Sequence, residues 1–228
     1  MWAEYELVFI DADDTLFDFR RCEEEALGAT LLAAGFPCDD RIQALYRGIN
    51  ARAWAEVEAG TLGREELKTR RFAELFAALG LDADAGSIGE SYLDHLSCQA
   101  WLLDGAVEIC AWLRERAVLV LLTNGIARVQ RGRLARSALA DAFDHVVISE
   151  EVGLSKPDPR IFAHGARLAG KDDRRRMIMI GDSLSSDMAG GRAYGIATCW
   201  YNPWGAAPGE IRPDHVIRSL RDLTALLY

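Results

Sequence analysis

No stretch of this 228-residue chain stays apolar for the length that a membrane span requires. No segment repeats, and no low-complexity linker interrupts the chain. Positive charge is in the minority: 26 Lys and Arg face 35 Asp and Glu, a formal charge of −9. That balance argues against a nucleic-acid polymer or an anionic membrane as the main partner. Small phosphorylated substrates stay open, because local cations and a metal set the field inside a cleft. Cysteine is sparse and poorly spaced for a disulfide framework. The five (Cys22, Cys38, Cys98, Cys110 and Cys199) are odd in number and form no C-x-x-C pair. They read as free thiols of a reducing compartment, so the expected location is the cytoplasm. The opening residues, Met1-Trp2-Ala3-Glu4-Tyr5-Glu6, are acidic where a secretory signal is basic, and no signal peptide is expected.

Half of the residues are apolar, enough to build a core in one or two domains. The first apolar run, Leu7-Val8-Phe9-Ile10, stops abruptly at Asp11-Ala12-Asp13-Asp14-Thr15. Such a run reads as a buried central strand whose carboxyl end opens to solvent, where ligands of open α/β sheets bind. Asp11 and Asp13 lie two apart, so on an extended strand end their side chains share a face. Paired carboxylates repel unless a cation lies between them or one keeps a proton. Mg²⁺, which prefers carboxylate and carbonyl oxygens, suits such a site. The plainer reading is an acidic turn that starts a helix.

Helical spacing takes over from Phe19 to Ala34, Asp39 to Ala59, Arg64 to Leu79 and Ala85 to Gln99, with glycine-containing stops between them. From Asp104 onward strands and helices alternate. Strands are expected at 117–122, 145–148, 177–180 and 196–199, with Val216-Ile217 leading into a last helix. Helices are expected at 104–116, 126–136, 159–169 and 184–194. The expected fold is therefore α/β, a doubly wound parallel sheet carrying an inserted all-helical domain. Its core would comprise residues 1–16 and 102–228, and its helical insertion residues 17–101.

Further polar groups follow the expected strand ends in a fixed order: Thr123-Asn124-Gly125, then Lys156-Pro157, then Gly181-Asp182 with Asp187 five residues on. Taken singly, Thr123 could cap a helix, Lys156 could be a solvated loop charge, Asp182 a turn residue and Asp187 a helix-surface charge. The ordered set D-x-D-x-T, T-N-G, K-P and G-D-x-x-x-x-D resembles the haloacid dehalogenase superfamily over residues 7–187. The resemblance implies a Mg²⁺-dependent phosphotransferase chemistry with Asp11 as nucleophile, forming an aspartyl phosphate. It implies metal ligation by the Asp11 and Asp182 carboxylates and by the Asp13 backbone carbonyl. The Asp13 side chain is then free to act as general acid and later as base. Thr123 Oγ, with the N–H groups of Asn124 and Gly125, would grip the phosphoryl oxygens. The glycine is expected to let the backbone come close. Lys156 would offset the charge of nucleophile and phosphate, and Pro157 would restrict it to extended conformations. Thr15 is expected to fix the loop after Asp13, and Asp187 to orient Lys156 or the metal's waters.

Asp13 discriminates within the superfamily. A dehalogenase releases halide and needs no acid there, whereas a phosphate ester must protonate its leaving alkoxide. A phosphatase or a phosphomutase is therefore expected. The helical insertion resembles the family's cap, with Asn50, Trp54 and Arg71 as candidate substrate contacts, although its aromatics Tyr46, Trp54 and Phe72 equally fit a packed helical core. Phe9-Ile10-Asp11-Ala12-Asp13, Ile148-Ser149-Glu150-Glu151-Val152-Gly153, Thr198-Cys199-Trp200 and Arg71-Phe72 are similar to bacterial pyrimidine 5′-nucleotidases that clear non-standard nucleotides. Asp14 departs from that subgroup, which commonly has Glu there. Phosphoglycolate or a sugar phosphate is the alternative substrate, and the expected assembly is a monomer or homodimer. A receiver-like signalling module shares an acidic first strand end, a Thr and a Lys-Pro. Its phosphorylated Asp follows the third strand of a much shorter chain, and no Asp stands beside Thr123. A catalytically dead binding protein is the remaining alternative, opposed by the presence of every polar group the chemistry needs.

Overall fold

A computed structural model describes residues 5–227. The chain divides into two compact units, Met1–Phe19 with Ala100–Tyr228, and Arg20–Gln99. The first unit keeps Phe17, Asp18 and Phe19, which the sequence reading assigns to the insertion. Backbone pairing accounts for this: Phe17 bridges Leu102, and the Asp18 N–H donates to the Trp101 carbonyl at 3.0 Å.

The sheet unit is built on six parallel strands: β1 (Leu7–Ile10), β2 (Val118–Thr123), β3 (His145–Ile148), β4 (Met177–Gly181), β5 (Ala197–Tyr201) and β6 (His215–Ile217). Their order is β3-β2-β1-β4-β5-β6. All four residues of β1 are buried, because alternate side chains enter two different cores. Val8 and Ile10 pack with Ile109, Leu113, Leu121 and Ile180. Leu7 and Phe9 pack with Leu122, Ile161, Phe162 and Met179 on the other face. The chain winds outward through β2 and β3, then returns to the far side of β1 as β4. The strand order therefore reverses between β1 and β4, where a crevice forms beyond the strand ends.

The other unit holds most of α1 (Phe19–Ala33), then α2 (Asp40–Glu58), α3 (Arg64–Leu79) and α4 (Ala85–Ser97). Asp39 and Asp84 cap α2 and α4 by accepting from backbone N–H groups, as their types favour. Tyr46, Phe72 and Tyr92 form its aromatic centre, with ring centroids 5.2 to 5.5 Å apart.

Around the sheet lie α5 (Ala106–Arg114), α6 (Ala127–Arg136), α7 (Ser149–Val152), α8 (Pro159–Leu168), α9 (Ala189–Tyr194) and α10 (Asp222–Leu226). The region expected as one helix over 184–194 opens with a π-helical turn, Leu184–Met188, before α9. The Met188 N–H reaches back to the Ser183 carbonyl at 3.1 Å, one residue further than an α-helix allows. That extra residue changes the phase of the helix and turns Asp187 inward, with its side chain fully buried.

Helix α8 approaches the sheet through Gly165. A Cβ there would lie 2.6 Å from the Phe9 ring, which is itself wedged edge-on against Phe162. Gly165→Ala gains about 1 kcal/mol of helix propensity but overpacks a ring that has nowhere to go, a cost of about 1–3 kcal/mol. The variant should unfold at lower urea with an unchanged m-value. A midpoint equal to or above the parent's would show that the ring can yield.

Candidate active site

The loop that leaves β1 is wound tightly. The Ala12 carbonyl accepts from both Leu16 and Phe17 N–H at 2.9 Å, and the Asp14 N–H donates to the Phe17 carbonyl at 2.9 Å. Asp14 takes the left-handed conformation at φ 56°, which Asp tolerates better than most residues, and its side chain is exposed. The winding sets Asp11, Asp13 and Thr15 in three different surroundings.

Asp11 faces Lys156. The ammonium donates to Asp11 Oδ1 at 2.6 Å and to Asp187 Oδ1 at 2.6 Å, and its side chain is 1% exposed. Asn124 holds the Lys156 backbone from both sides. Its Nδ2 donates to the Lys156 carbonyl at 2.9 Å, and its Oδ1 accepts the Lys156 N–H at 2.9 Å. The Lys156–Pro157 peptide is cis. Asp187 also accepts the Ser183 N–H at 3.0 Å, and it fits only because residue 181 is glycine. A Cβ on Gly181 would lie 2.2 Å from Asp187 Oδ2.

Asp182 completes an acidic group. One oxygen from each of Asp11, Asp182 and Asp187 can be chosen so that all lie within 4.8 Å of one another. Thr15 Oγ1, the hydroxyl expected to fix the loop after Asp13, donates to Asp182 Oδ1 at 3.3 Å and ties that loop to the residue following β4. The Trp200 indole N–H donates to the Asp182 carbonyl at 2.7 Å. Trp200 is thus a buried support for this strand end, whereas Trp204 is 91% exposed.

Two of the expected site residues have neighbours that the motifs do not include. The Asp13 carboxyl is held at both oxygens: Gln130 Nε2 donates to its Oδ2 at 2.6 Å, and Arg133 Nη1 pairs with its Oδ1. The Gln130 amide also fills the side of Gly125 on which a Cβ would stand. A Cβ on Gly125 would lie 2.2 Å from Gln130 Nε2. The Gly125 N–H donates to Thr123 Oγ1 at 3.2 Å. Glu150, from the short helix α7, accepts the Ala127 N–H at 2.7 Å and so caps α6.

Asn50, Trp54 and Arg71 lie in the helical unit. Asn50 Nδ2 donates to Glu23 at 2.7 Å, and its Oδ1 accepts from Arg71 Nη1 at 3.1 Å. The Arg71 guanidinium stacks 4.7 Å from the Tyr92 ring centroid. Trp54 is half-buried against Ala53, Leu62 and Leu67.

A model of the haloacid dehalogenase-like hydrolases matches residues 5–195. The chain belongs to this family. It is 33% identical over 225 residues to the pyrimidine 5′-nucleotidase YjjG of Escherichia coli, covering 98% of each chain. It is 34% identical over 222 residues to the pyrimidine 5′-nucleotidase PynA of Streptococcus pneumoniae, covering 96% of this chain and 93% of that one. The crystal structure of the HAD-hydrolase YfnB from Bacillus subtilis, bound to magnesium, superposes with a TM-score of 0.93. That match is at 32% identity and covers 98% of this chain and 99% of the other.

The charges of this haloacid dehalogenase-like site do not balance among themselves. Burial pushes Asp11 up to about 7; Lys156 pulls it down, and Asp187 pushes it up. Burial, then the charges of Asp11 and Asp187, raise Asp182 well above the usual carboxylate range. Burial alone would lower Lys156, but its two carboxylate partners outweigh that and hold it above its ordinary value. Three clustered carboxylates, two of them paired with one ammonium, form a hard, oxygen-rich, net negative donor set. Such a set fits a small divalent cation such as Mg²⁺.

A carboxylate whose folded value is raised binds protons better folded than unfolded, so it lowers stability as pH rises between the two values. For Asp11 that window runs from 3.8 to about 7. In EDTA, stability should fall across this window, and Asp182→Asn should flatten the fall by removing one of the repelling charges. At about pH 8 the variant should melt above the parent in EDTA and below it in saturating Mg²⁺, since the ion binds the native state alone. Identical melting temperatures in both media would contradict this charge balance.

Proposed function

We propose that this hydrolase cleaves phosphate monoesters through an aspartyl phosphate on Asp11, and that its substrates are pyrimidine nucleoside 5′-monophosphates. The observation that carries the reading is the clustering of Asp11, Asp182 and Asp187 beyond the ends of β1 and β4, with Lys156 paired to Asp11 and Asp187. Nucleophile and counter-charge lie side by side there.

In the first half-reaction an Asp11 oxygen bonds to phosphorus as the ester P–O bond breaks, and Asp13 gives its proton to the departing alkoxide. In the second, water bonds to phosphorus and yields a proton to Asp13 as the bond between phosphorus and Asp11 breaks, releasing inorganic phosphate. Lys156 offsets the negative charge of Asp11 and of the phosphoryl group as they approach. Thr123 Oγ and the N–H groups of Asn124 and Gly125 hold the phosphoryl oxygens. For this, the Gly125 N–H exchanges its bond to Thr123 for one to substrate. Asp11, Asp182 and the Asp13 carbonyl would hold Mg²⁺, with Asp187 fixing Lys156 beside them. When bound, the ion offsets charge on the phosphoryl oxygens and keeps Asp11 ionised.

The presence of Asp13 favours phosphate esters over haloacids, which have no alkoxide to protonate. Similarity over nearly the whole chain to two proteins named pyrimidine 5′-nucleotidases supports the substrate class. In the helical unit, which acts as the cap, Asn50, Trp54 and Arg71 are the substrate contacts. Arg71 is buried, yet its Nε and Nη2 find no partner among the described residues, which leaves donors for a carbonyl-bearing base. The five free cysteines support a cytoplasmic setting, with a monomer or homodimer as the working form.

Turnover of UMP, dUMP and dTMP with Mg²⁺ should exceed that of phosphoglycolate and sugar phosphates at least tenfold in kcat/KM. It should vanish in EDTA and in Asp11→Asn. A preference for phosphoglycolate or a sugar phosphate would remove the nucleotide assignment and leave the phosphatase standing. Asp13→Ala should lose ~10²–10⁴-fold in kcat on esters with poor leaving groups, and far less on p-nitrophenyl phosphate. Equal losses on both would take the acid role from Asp13.

A further inference from the structure

The Asp13 carboxyl is gripped from α6, by two side chains that no motif of the active site includes. Gln130 donates to Oδ2 at 2.6 Å, and Arg133 Nη1 pairs with Oδ1. Positions 130 and 133 are one helical turn apart and so share a face. Both are buried, Gln130 at 3% and Arg133 at 0% exposure. The guanidinium lies over the Phe17 ring at 4.4 Å and the Phe19 ring at 5.7 Å, which fixes its plane. Phe17 closes the Asp13 loop through their backbone bridge, so one arginine braces both the loop and the carboxyl.

Gln130 is held just as closely. Its amide is wedged against Gly125, where a Cβ would sit 2.2 Å from Nε2. Turned over, the amide would set its own oxygen against the Asp13 carboxylate, acceptor against acceptor. In the orientation present, Oε1 is buried without a partner among the described residues. That is an expensive choice for a core position. Methionine would fill a similar volume with no orphaned acceptor, and a change of that kind is usually well tolerated.

We propose that Gln130 and Arg133 are positioning residues for proton transfer by Asp13. The inference rests on the reading of Asp13 as acid and base. One donor on each oxygen fixes both the place and the rotation of the carboxyl, and leaves one lone-pair position per oxygen for the transferred proton. A carboxyl held in that way meets the ester oxygen in one orientation, with less freedom to lose at the moment the P–O bond breaks. Neither side chain touches the reacting atoms; each acts through Asp13.

The test compares phenyl phosphate, whose leaving group needs its proton, with p-nitrophenyl phosphate, whose leaving group does not, in Mg²⁺. Gln130→Met and Arg133→Met should lose ~10- to 100-fold more kcat on the phenyl ester than on the nitrophenyl ester. KM should stay within about twofold, because ground-state binding is untouched. The urea midpoint of Gln130→Met should equal or exceed the parent's, separating lost function from lost stability. Arg133→Lys, which keeps a charged donor, should recover part of the loss, and it carries the test where Arg133→Met fails to fold. Equal losses on the two esters, or a gain on phenyl phosphate, would overturn the positioning role. Asp13→Asn is the control. If it has the leaving-group gap and the α6 variants lack it, the positioning role falls and the acid stands. If Asp13→Asn lacks the gap, the acid reading itself has failed.

Discussion

A single ammonium, that of Lys156, lies 2.6 Å from a carboxylate oxygen of Asp11 and 2.6 Å from one of Asp187, with almost none of its side chain exposed. Stripping water from such groups costs several kcal/mol per ion, and only close, well-made contacts repay it. The surrounding structure is organised to make them. Asn124 clamps the Lys156 backbone, Ser183 ties down Asp187, and Trp200 and Thr15 hold Asp182. Apolar residues of similar volume would make a more stable sheet end. The chain keeps an uneven charge balance there, a carboxylate beside its counter-charge with negative charge left over that suits a cation.

Sheet topology makes this convergence inexpensive in chain entropy. Asp11 and Asp182 follow β1 and β4, which pair directly, so the backbone ladder sets their separation: the Asp11 N–H itself donates to the Ile180 carbonyl at 3.0 Å. Lys156 then arrives on a loop and Asp187 on the π-helical turn, and both paths depend on glycines at close approaches. Gly181 admits the Asp187 carboxylate, and Gly190 admits the Pro157 backbone and the Phe162 ring. Neither glycine is among those with positive φ, so close approach is what requires them.

Strand ends and their polar residues were legible because their signal is local. Leu7–Ile10 is an unbroken apolar run that ends in acid, and both features survive folding without alteration. What escaped the sequence is what depends on distant partners. Gln130 and Arg133 look like surface residues of a polar helix until Asp13, 117 and 120 residues away, comes into contact with them. The motif explains the Asn124 backbone but not its side chain, whose amide clamps the distant backbone of Lys156. Gly125 has a neighbour the motif does not show, the Gln130 side chain that occupies the place of a Cβ. Asp187, expected to orient Lys156 or the metal's waters, reaches Lys156 by a route the sequence hides. The π-helical turn, invisible in a periodicity of 3.6, turns it inward.

Two carboxylates only two residues apart must do different work if this site hydrolyses an ester. Chemical identity cannot separate them, so environment has to. Asp11 is buried against Lys156 and two further acids, a setting that suits attack on phosphorus once a cation balances the cluster. Asp13 is turned to the other side of the same tight loop, 28% exposed, where an arginine and an amide set its orientation. The loop itself enforces the separation. The Ala12 carbonyl takes two N–H donors and Asp14 adopts a left-handed backbone, so neighbouring side chains diverge where an extended strand would have aligned them. The different surroundings that the proposed nucleophile and acid need are thus set by six residues of backbone, Asp11 to Leu16, and held from outside by one lysine and one arginine.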